Sequence, residues 1–124
     1  MEKIRVLIAD DSPVARNMLI RMLKNEDDIE IAGEADTGQS VVKMLDEAAP
    51  DVILLEASIS GGISVPRLAS YIKDIKPRIR VILCAEVSSD SEVIKEAEPW
   101  ASDIIRKPYN KTNLLRAIRE YDLF

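Results

Sequence analysis

The chain has no histidine and only one cysteine, and these absences exclude several kinds of chemistry. Without histidine the chain cannot carry a Ser-His-Asp or Cys-His catalytic site, a histidine metal ligand or a phosphohistidine. The single cysteine, Cys84, can form neither a disulfide within the chain nor a thiolate metal cluster. A lone cysteine is typical of proteins in a reducing compartment.

Long apolar runs and a surplus of basic residues are also missing. The apolar run at residues 6–9 ends at two aspartates, so it is too short for a signal peptide or a membrane-spanning helix. The 17 Lys and Arg are outnumbered by 22 Asp and Glu, which argues against autonomous nucleic-acid binding. We expect a cytoplasmic protein that forms one domain over residues 1–124 and has neither a nucleic acid nor a membrane as a direct partner.

Short apolar runs alternate with segments of helical period along the chain. The predicted strands lie at residues 6–9, 29–32, 52–55, 81–84 and 104–105. Helices are predicted after Ser12-Pro13, from Asp36-Thr37-Gly38, after the loop 58–64, near the possible capping box Ser89/Glu92, and after Asn110. The residues expected to face inward are Leu68, Ile72 and Ile75 in the third helix and Leu114, Ile118 and Tyr121 in the last.

This alternation predicts an α/β fold with a single doubly wound sheet. Right-handed crossovers leave few arrangements, and the flavodoxin-like strand order 2-1-3-4-5, with helices on both faces, is the commonest at this size. A ligand site in such a sheet lies at the carboxyl ends of the strands, beside the point where the strand order reverses.

Charged side chains follow several of the predicted strands at that edge. Asp10 and Asp11 follow the first strand, Glu56 the third, and Lys107 ends the fifth. Crowded carboxylates require a cation, either a hard metal ion such as Mg²⁺ or the Lys107 ammonium. Alternatively, the acidic pair has only a structural role, in which its negative charge stabilises the N-terminus of the first helix.

Over nearly its whole length the chain resembles the receiver domain of bacterial two-component response regulators, of the chemotaxis-regulator type. The resemblance rests on residues 6–12 with their acidic pair, on residues 50–55, and on Lys107-Pro108-Tyr109. It implies Mg²⁺ at the acidic pair, a phosphoryl-accepting aspartate after the third strand, a Thr or Ser hydroxyl after the fourth, and a lysine paired with the phosphoryl group. It also implies a sensor histidine kinase or other signalling protein as partner, an output domain if the chain is a fragment, and no enzyme function.

Four departures from the family pattern lie along this signalling route. Glu56 stands at the phosphoacceptor position, Cys84 at the hydroxyl position and Ile104 in place of the switch aromatic residue. The loop 58–62, which starts two residues after Glu56 with Ser58 as a possible metal ligand, also differs from the usual sequence. The pattern indicates a pseudo-receiver that acts through protein–protein contacts, with Trp100, Ile104 and Tyr109 on its partner surface.

Glutamate is one methylene longer than aspartate, so the Glu56 carboxylate is expected close to Lys107, as a partial imitation of a phosphorylated site or as a merely structural ion pair. Cys84 is expected to be a small buried residue rather than a reactive thiol, and Glu86 to be simply solvated.

Two alternative functions remain open: a conventional receiver with Mg²⁺-dependent phosphotransfer, and a small flavin or nucleotide carrier. The second is disfavoured because Asp10 and Asp11 would repel a phosphate.

Overall fold

Five parallel strands form one sheet in the computed structural model, which describes residues 2–86 and 92–120. The strands are Ile4–Ala9 (β1), Ile29–Ala35 (β2), Val52–Glu56 (β3), Arg80–Glu86 (β4) and Asp103–Lys107 (β5). The helices are Pro13–Leu23 (α1), Gly38–Ala48 (α2), Val65–Ile75 (α3), Glu92–Ala97 (α4) and Lys111–Arg119 (α5), with a 3₁₀ turn at Glu98–Trp100. The strand order β2-β1-β3-β4-β5 confirms the predicted fold class.

Side-chain caps begin four of the helices. The oxygens of Ser12, Thr37, Ser64 and Asn110 each accept a hydrogen bond from the backbone N–H three residues further on. A cap of this kind stabilises a helix by about 1 kcal/mol. Ser89, of the predicted capping box, and Tyr121 lie outside the described residues.

The sheet separates two hydrophobic cores because its strands are buried on both faces. One core lies against α2 and α3 and includes Leu7, Ile53 and Leu83. The other lies against α1 and α5 and includes Ile8 and Cys84. None of the helices in the described part of the chain is long and apolar enough to cross a membrane.

One helix-facing prediction is wrong, and all five strands extend beyond their predicted bounds. Ile72 is 0% exposed as predicted, but Ile75 is 42% exposed. The next buried apolar residue after Ile72 is Ile79, which leads into β4 and joins the same core, so Ile75 is left outside. The second strand continues to Ala35 because it pairs with β1 up to Ala9.

Alanine substitutions at Ile72 and Ile75 make a matched pair within one helix. Ile72→Ala should lower the free energy of unfolding by about 2–5 kcal/mol, because it opens a cavity in the core. Ile75→Ala removes the same atoms from a half-exposed position and should cost less than about 1 kcal/mol. Chemical denaturation measures both values. Equal losses would contradict this placement of α3.

Candidate functional site

Strand register brings the predicted site residues to one edge of the sheet. In the pairing of β3 with β4, Glu56 lies opposite Cys84, and in the pairing of β4 with β5, Glu86 lies opposite Lys107. Asp10 directly follows β1, which is the other neighbour of β3. The carboxyl ends of four strands therefore surround Glu56.

Both oxygens of the Glu56 carboxylate are in contact with polar side chains. Ser58 Oγ donates a hydrogen bond to Oε1 over 3.1 Å, and Lys107 Nζ lies 2.9 Å from Oε2. Glu56 is only 4% exposed, so its charge is largely removed from water. A buried carboxylate requires such partners, because an uncompensated charge at this depth is strongly destabilising.

Lys107 has two further neighbours besides Glu56. Glu86 Oε1 lies 3.5 Å from Nζ, and the centre of the Tyr109 ring lies 5.9 Å from it. Burial disfavours the ammonium charge, but the Glu56 carboxylate outweighs this effect, so the pKa of Lys107 is raised. The Glu86 side chain is 65% exposed, as expected of a solvated residue, and its register opposite Lys107 also brings it to ion-pair distance.

The two aspartates after β1 lie in different environments. Asp10 is buried, and its Oδ1 accepts a hydrogen bond from the Ser12 N–H over 2.9 Å. Its Oδ2 is buried and has no hydrogen-bond partner among the described residues. Asp11 is exposed. The acidic pair therefore offers one buried free oxygen.

A magnesium ion at this edge would need oxygen ligands from Asp10, Asp11, Glu56 or Ser58. Within residues 2–86 and 92–120, no three His, Cys, Asp or Glu side chains form a group that could hold a metal ion. Among the described residues, Asp10 Oδ2 and Glu56 Oε2 are both buried without a hydrogen-bond partner, but Glu56 Oε2 already forms an ion pair with Lys107 and Ser58 is bonded to Oε1. The residues as arranged do not fit a magnesium ion, and magnesium binding stays a prediction from the sequence.

Cys84 and Tyr109 connect the site to the hydrophobic core under α1 and α5. The Cys84 thiol is buried and donates a long hydrogen bond, of 3.9 Å, to the Ile82 carbonyl. Burial first, and then the Glu56 charge, raise the pKa of Cys84 to about 12. The Tyr109 hydroxyl is also buried and lacks a hydrogen-bond partner in the described chain, and burial raises its pKa too.

Two glycines hold the loop after β3 against the start of α2. The Gly38 N–H donates a hydrogen bond to the Ser60 carbonyl over 2.9 Å. Gly61 has φ +119°, and a Cβ there would lie 2.6 Å from Thr37 Cβ, so only glycine fits. This close contact fixes the loop that carries Ser58 beside Glu56.

The three residues predicted for the partner surface lie apart from one another. Ile104 packs against the core under α2 and α3, whereas Tyr109 packs against the core under α1 and α5. Trp100 is 40% exposed and lines a groove beside α3. A shared surface for all three stays a prediction.

The buried thiol generates a prediction about alkaline stability. The folded-state pKa of about 12 lies above the unfolded value of about 8.5, so the neutral thiol stabilises the fold fully at low pH and loses this contribution as the pH rises between the two. Between about pH 9 and 10, the free energy of unfolding should fall about 1 kcal/mol more for the wild-type protein than for Cys84→Ala. Denaturation curves across this range measure the difference. Parallel pH profiles would contradict it.

Comparison with known proteins places these features in a family. The family model of the response regulator receiver domain matches residues 6–119. The chain is 31% identical over 118 residues to chemotaxis protein CheY of Halobacterium salinarum, with 94% of each sequence covered. The receiver domain of NarL from Mycobacterium tuberculosis superposes with a TM-score of 0.84 at 25% identity, covering 95% of this chain and 94% of that one. The response regulator domain of Thermotoga maritima CheB superposes with a TM-score of 0.82 at 27% identity, covering 95% of both chains. The chain belongs to the response regulator receiver domain family.

Proposed function

We propose that this two-component receiver domain signals through protein–protein contacts without taking up a phosphoryl group. Glu56 keeps its site in one ion-paired state. The observation that carries this proposal is the Glu56 carboxylate, whose oxygens contact Ser58 Oγ at 3.1 Å and Lys107 Nζ at 2.9 Å. Lys107 is thereby neutralised by a side chain of the protein itself, with no incoming group required.

The reach of glutamate supports a site that transfers no phosphoryl group. Its carboxylate lies about 1.5 Å further along the side chain than that of aspartate. Phosphoryl transfer depends almost entirely on positioning and charge stabilisation, so a misplacement of about 1 Å can lower the rate about 100-fold. An acceptor already bound to Ser58 and Lys107 must also break both contacts before it can react.

The strength of the Glu56–Lys107 contact supports a fixed rather than a switching arrangement. At about 4 Å and an effective dielectric constant of 20, two unit charges attract by about 4 kcal/mol, before the cost of removing them from water. The carboxylate carries one charge, whereas a phosphoryl group would carry about two. Glu56 therefore imitates the charge of a phosphorylated site only in part.

The neighbouring residues lack the groups that would hold and relay a phosphoryl group. Cys84 offers a thiol, which is a weak donor, and its long bond points to the Ile82 carbonyl. Ile104 has no polar tip and packs against the core. Both residues support a domain whose output does not depend on a phosphorylation cycle.

This proposal extends to the setting in which the domain works. We place it in the cytoplasm, as one domain over residues 1–124 without enzymatic activity of its own. Its partner is then a sensor histidine kinase or another signalling protein, or an output domain in the same protein. The partner reads a surface of the domain rather than its phosphorylation state.

Beryllofluoride, a mimic of the phosphoryl group, tests whether the site is closed. We expect the amide NMR spectrum of the wild-type protein to be essentially unchanged by beryllofluoride with Mg²⁺, because Glu56 fills the space and neutralises Lys107. The Glu56→Asp variant is the positive control and should respond. Saturable shifts at Asp11, Glu56 and Lys107 of the wild-type protein would overturn the proposal.

Replacing Glu56 by aspartate, the residue expected at the phosphoacceptor position, tests which residues prevent phosphorylation. Glu56→Asp should gain slow labelling from acetyl phosphate, because the shorter carboxylate no longer fills the space beside Lys107. Adding Cys84→Thr supplies a hydroxyl donor to a charged group, about 1.5–3 kcal/mol, so the double variant should accumulate about ten-fold more phosphoprotein. Radiolabel counting at equal donor concentration measures both.

Glu56→Gln is the matched control, since it keeps the length of the side chain and cannot form an acyl phosphate. It should take no label. Wild-type labelling as rapid as that of Glu56→Asp would mean a working switch with an unusual acceptor. An Asp variant that binds Mg²⁺ but takes no label would show that residues other than Glu56 keep the site inactive.

A further inference from the structure

A stripe of three exposed side chains runs along α3, away from the Glu56 site. Arg67, Tyr71 and Asp74 are four and then three residues apart, so they lie on one face of the helix. All three are exposed, and Tyr71 retains 44% of its surface. The order along the helix is therefore basic, aromatic, acidic.

The two charges of this stripe are unpaired. Within the described chain neither Arg67 nor Asp74 takes part in an ion pair, whereas Arg5, Arg16 and Arg116 each do. Arg67 and Asp74 cannot pair with each other because about two helical turns separate them. Each charge is available to an opposite charge from another molecule.

The surface around the stripe is shaped as a ridge between two grooves. One groove, of about 670 Å³, lies between α3 and the 3₁₀ turn and is lined by Trp100 and Glu96 as well as the stripe. The other, of about 340 Å³, lies towards α2 and is lined by Val42 and again by Arg67 and Tyr71. Helices pack by placing such ridges into grooves.

We propose that this surface, defined by Arg67, Tyr71, Asp74 and Trp100, binds a second copy of the chain. When one α3 lies antiparallel to the other, the sequence basic, aromatic, acidic meets acidic, aromatic, basic. Arg67 of each copy then faces Asp74 of its partner, and the two Tyr71 rings meet near the two-fold axis. Such an isologous contact uses the same patch on both copies.

The charges of the α3 surface are complementary to those of the same surface in a second copy, which is why we infer a second copy as its binding partner. A second exposed apolar patch, formed by Val14 and Met18 on α1, is bordered by Arg21 and by Lys111, which is ion-paired with Glu26. None of the described residues that line this patch is acidic, so Arg21 would meet no opposite charge in a second copy. Tyrosine, tryptophan and arginine, all present on the α3 surface, are also the residues that contribute most to protein interfaces.

This inference is independent of the proposed function, because none of the four residues contacts Glu56 or Lys107 in the described structure. Its experiment is sedimentation equilibrium of the whole chain over a wide concentration range. A single helix and turn form a small interface, so we expect weak, reversible dimers rather than a permanent one.

Charge reversal tests the antiparallel pairing directly. Arg67→Glu and Asp74→Arg should each weaken dimerisation about ten-fold, because each replaces two attractive contacts per dimer with repulsive ones. The double variant Arg67→Glu/Asp74→Arg restores both pairs with reversed polarity and should dimerise like the wild-type protein. Trp100→Ala should weaken dimerisation about 30-fold while changing stability only slightly.

Arg21→Glu on α1 is the matched control, because it makes the same charge change on a different exposed helix. It should leave dimerisation unchanged. A wild-type protein that stays monomeric at every concentration would overturn the proposal, as would a double variant that is no better than either single one. Unchanged dimerisation of Trp100→Ala together with a large loss of stability would remove Trp100 from the surface and overturn the proposal as stated.

Discussion

The ion pair between Glu56 and Lys107 is the interaction on which the rest of the site depends. It connects the end of β3 to the end of β5 across the top of β4. Glu56 is nearly inaccessible to water, so the pair must compensate the cost of burying its charge. Ser58 donates a hydrogen bond to the Glu56 carboxylate, and Glu86 and the Tyr109 ring lie near the Lys107 ammonium. These neighbours therefore add to the polar contacts of the pair.

The proposed function rests on the contacts that the Glu56 carboxylate makes inside the protein. Here Glu56 forms an ion pair with Lys107 through Oε2 and accepts a hydrogen bond from Ser58 at Oε1. The buried thiol of Cys84 and the apolar Ile104 add no competing polar group. Under the function proposed above, this edge of the sheet keeps one state, and the domain signals through its surface.

The α3 surface is suited to such a role because it is separate from the site. The core under α2 and α3 lies between them, and neither the unpaired charges nor the aromatic rings take part in the ion-pair cluster. An interface of this kind can form whatever the protonation or occupancy of Glu56. The two parts of the molecule can thus be altered one at a time.

Local patterns in the sequence determined the fold class and indicated which charged residues follow the strands at one edge of the sheet. Apolar runs, side-chain caps such as Ser12 and Thr37, and the acidic pair are features of neighbouring residues, so they can be read without a structure. Glu56 in place of aspartate is equally visible. Only the tertiary structure decided that Glu86 reaches Lys107, that Ile75 stays outside the core and that the Tyr109 hydroxyl is buried. These outcomes depend on strand register and on where each helix ends over the sheet, and both are set by packing between residues far apart in the chain.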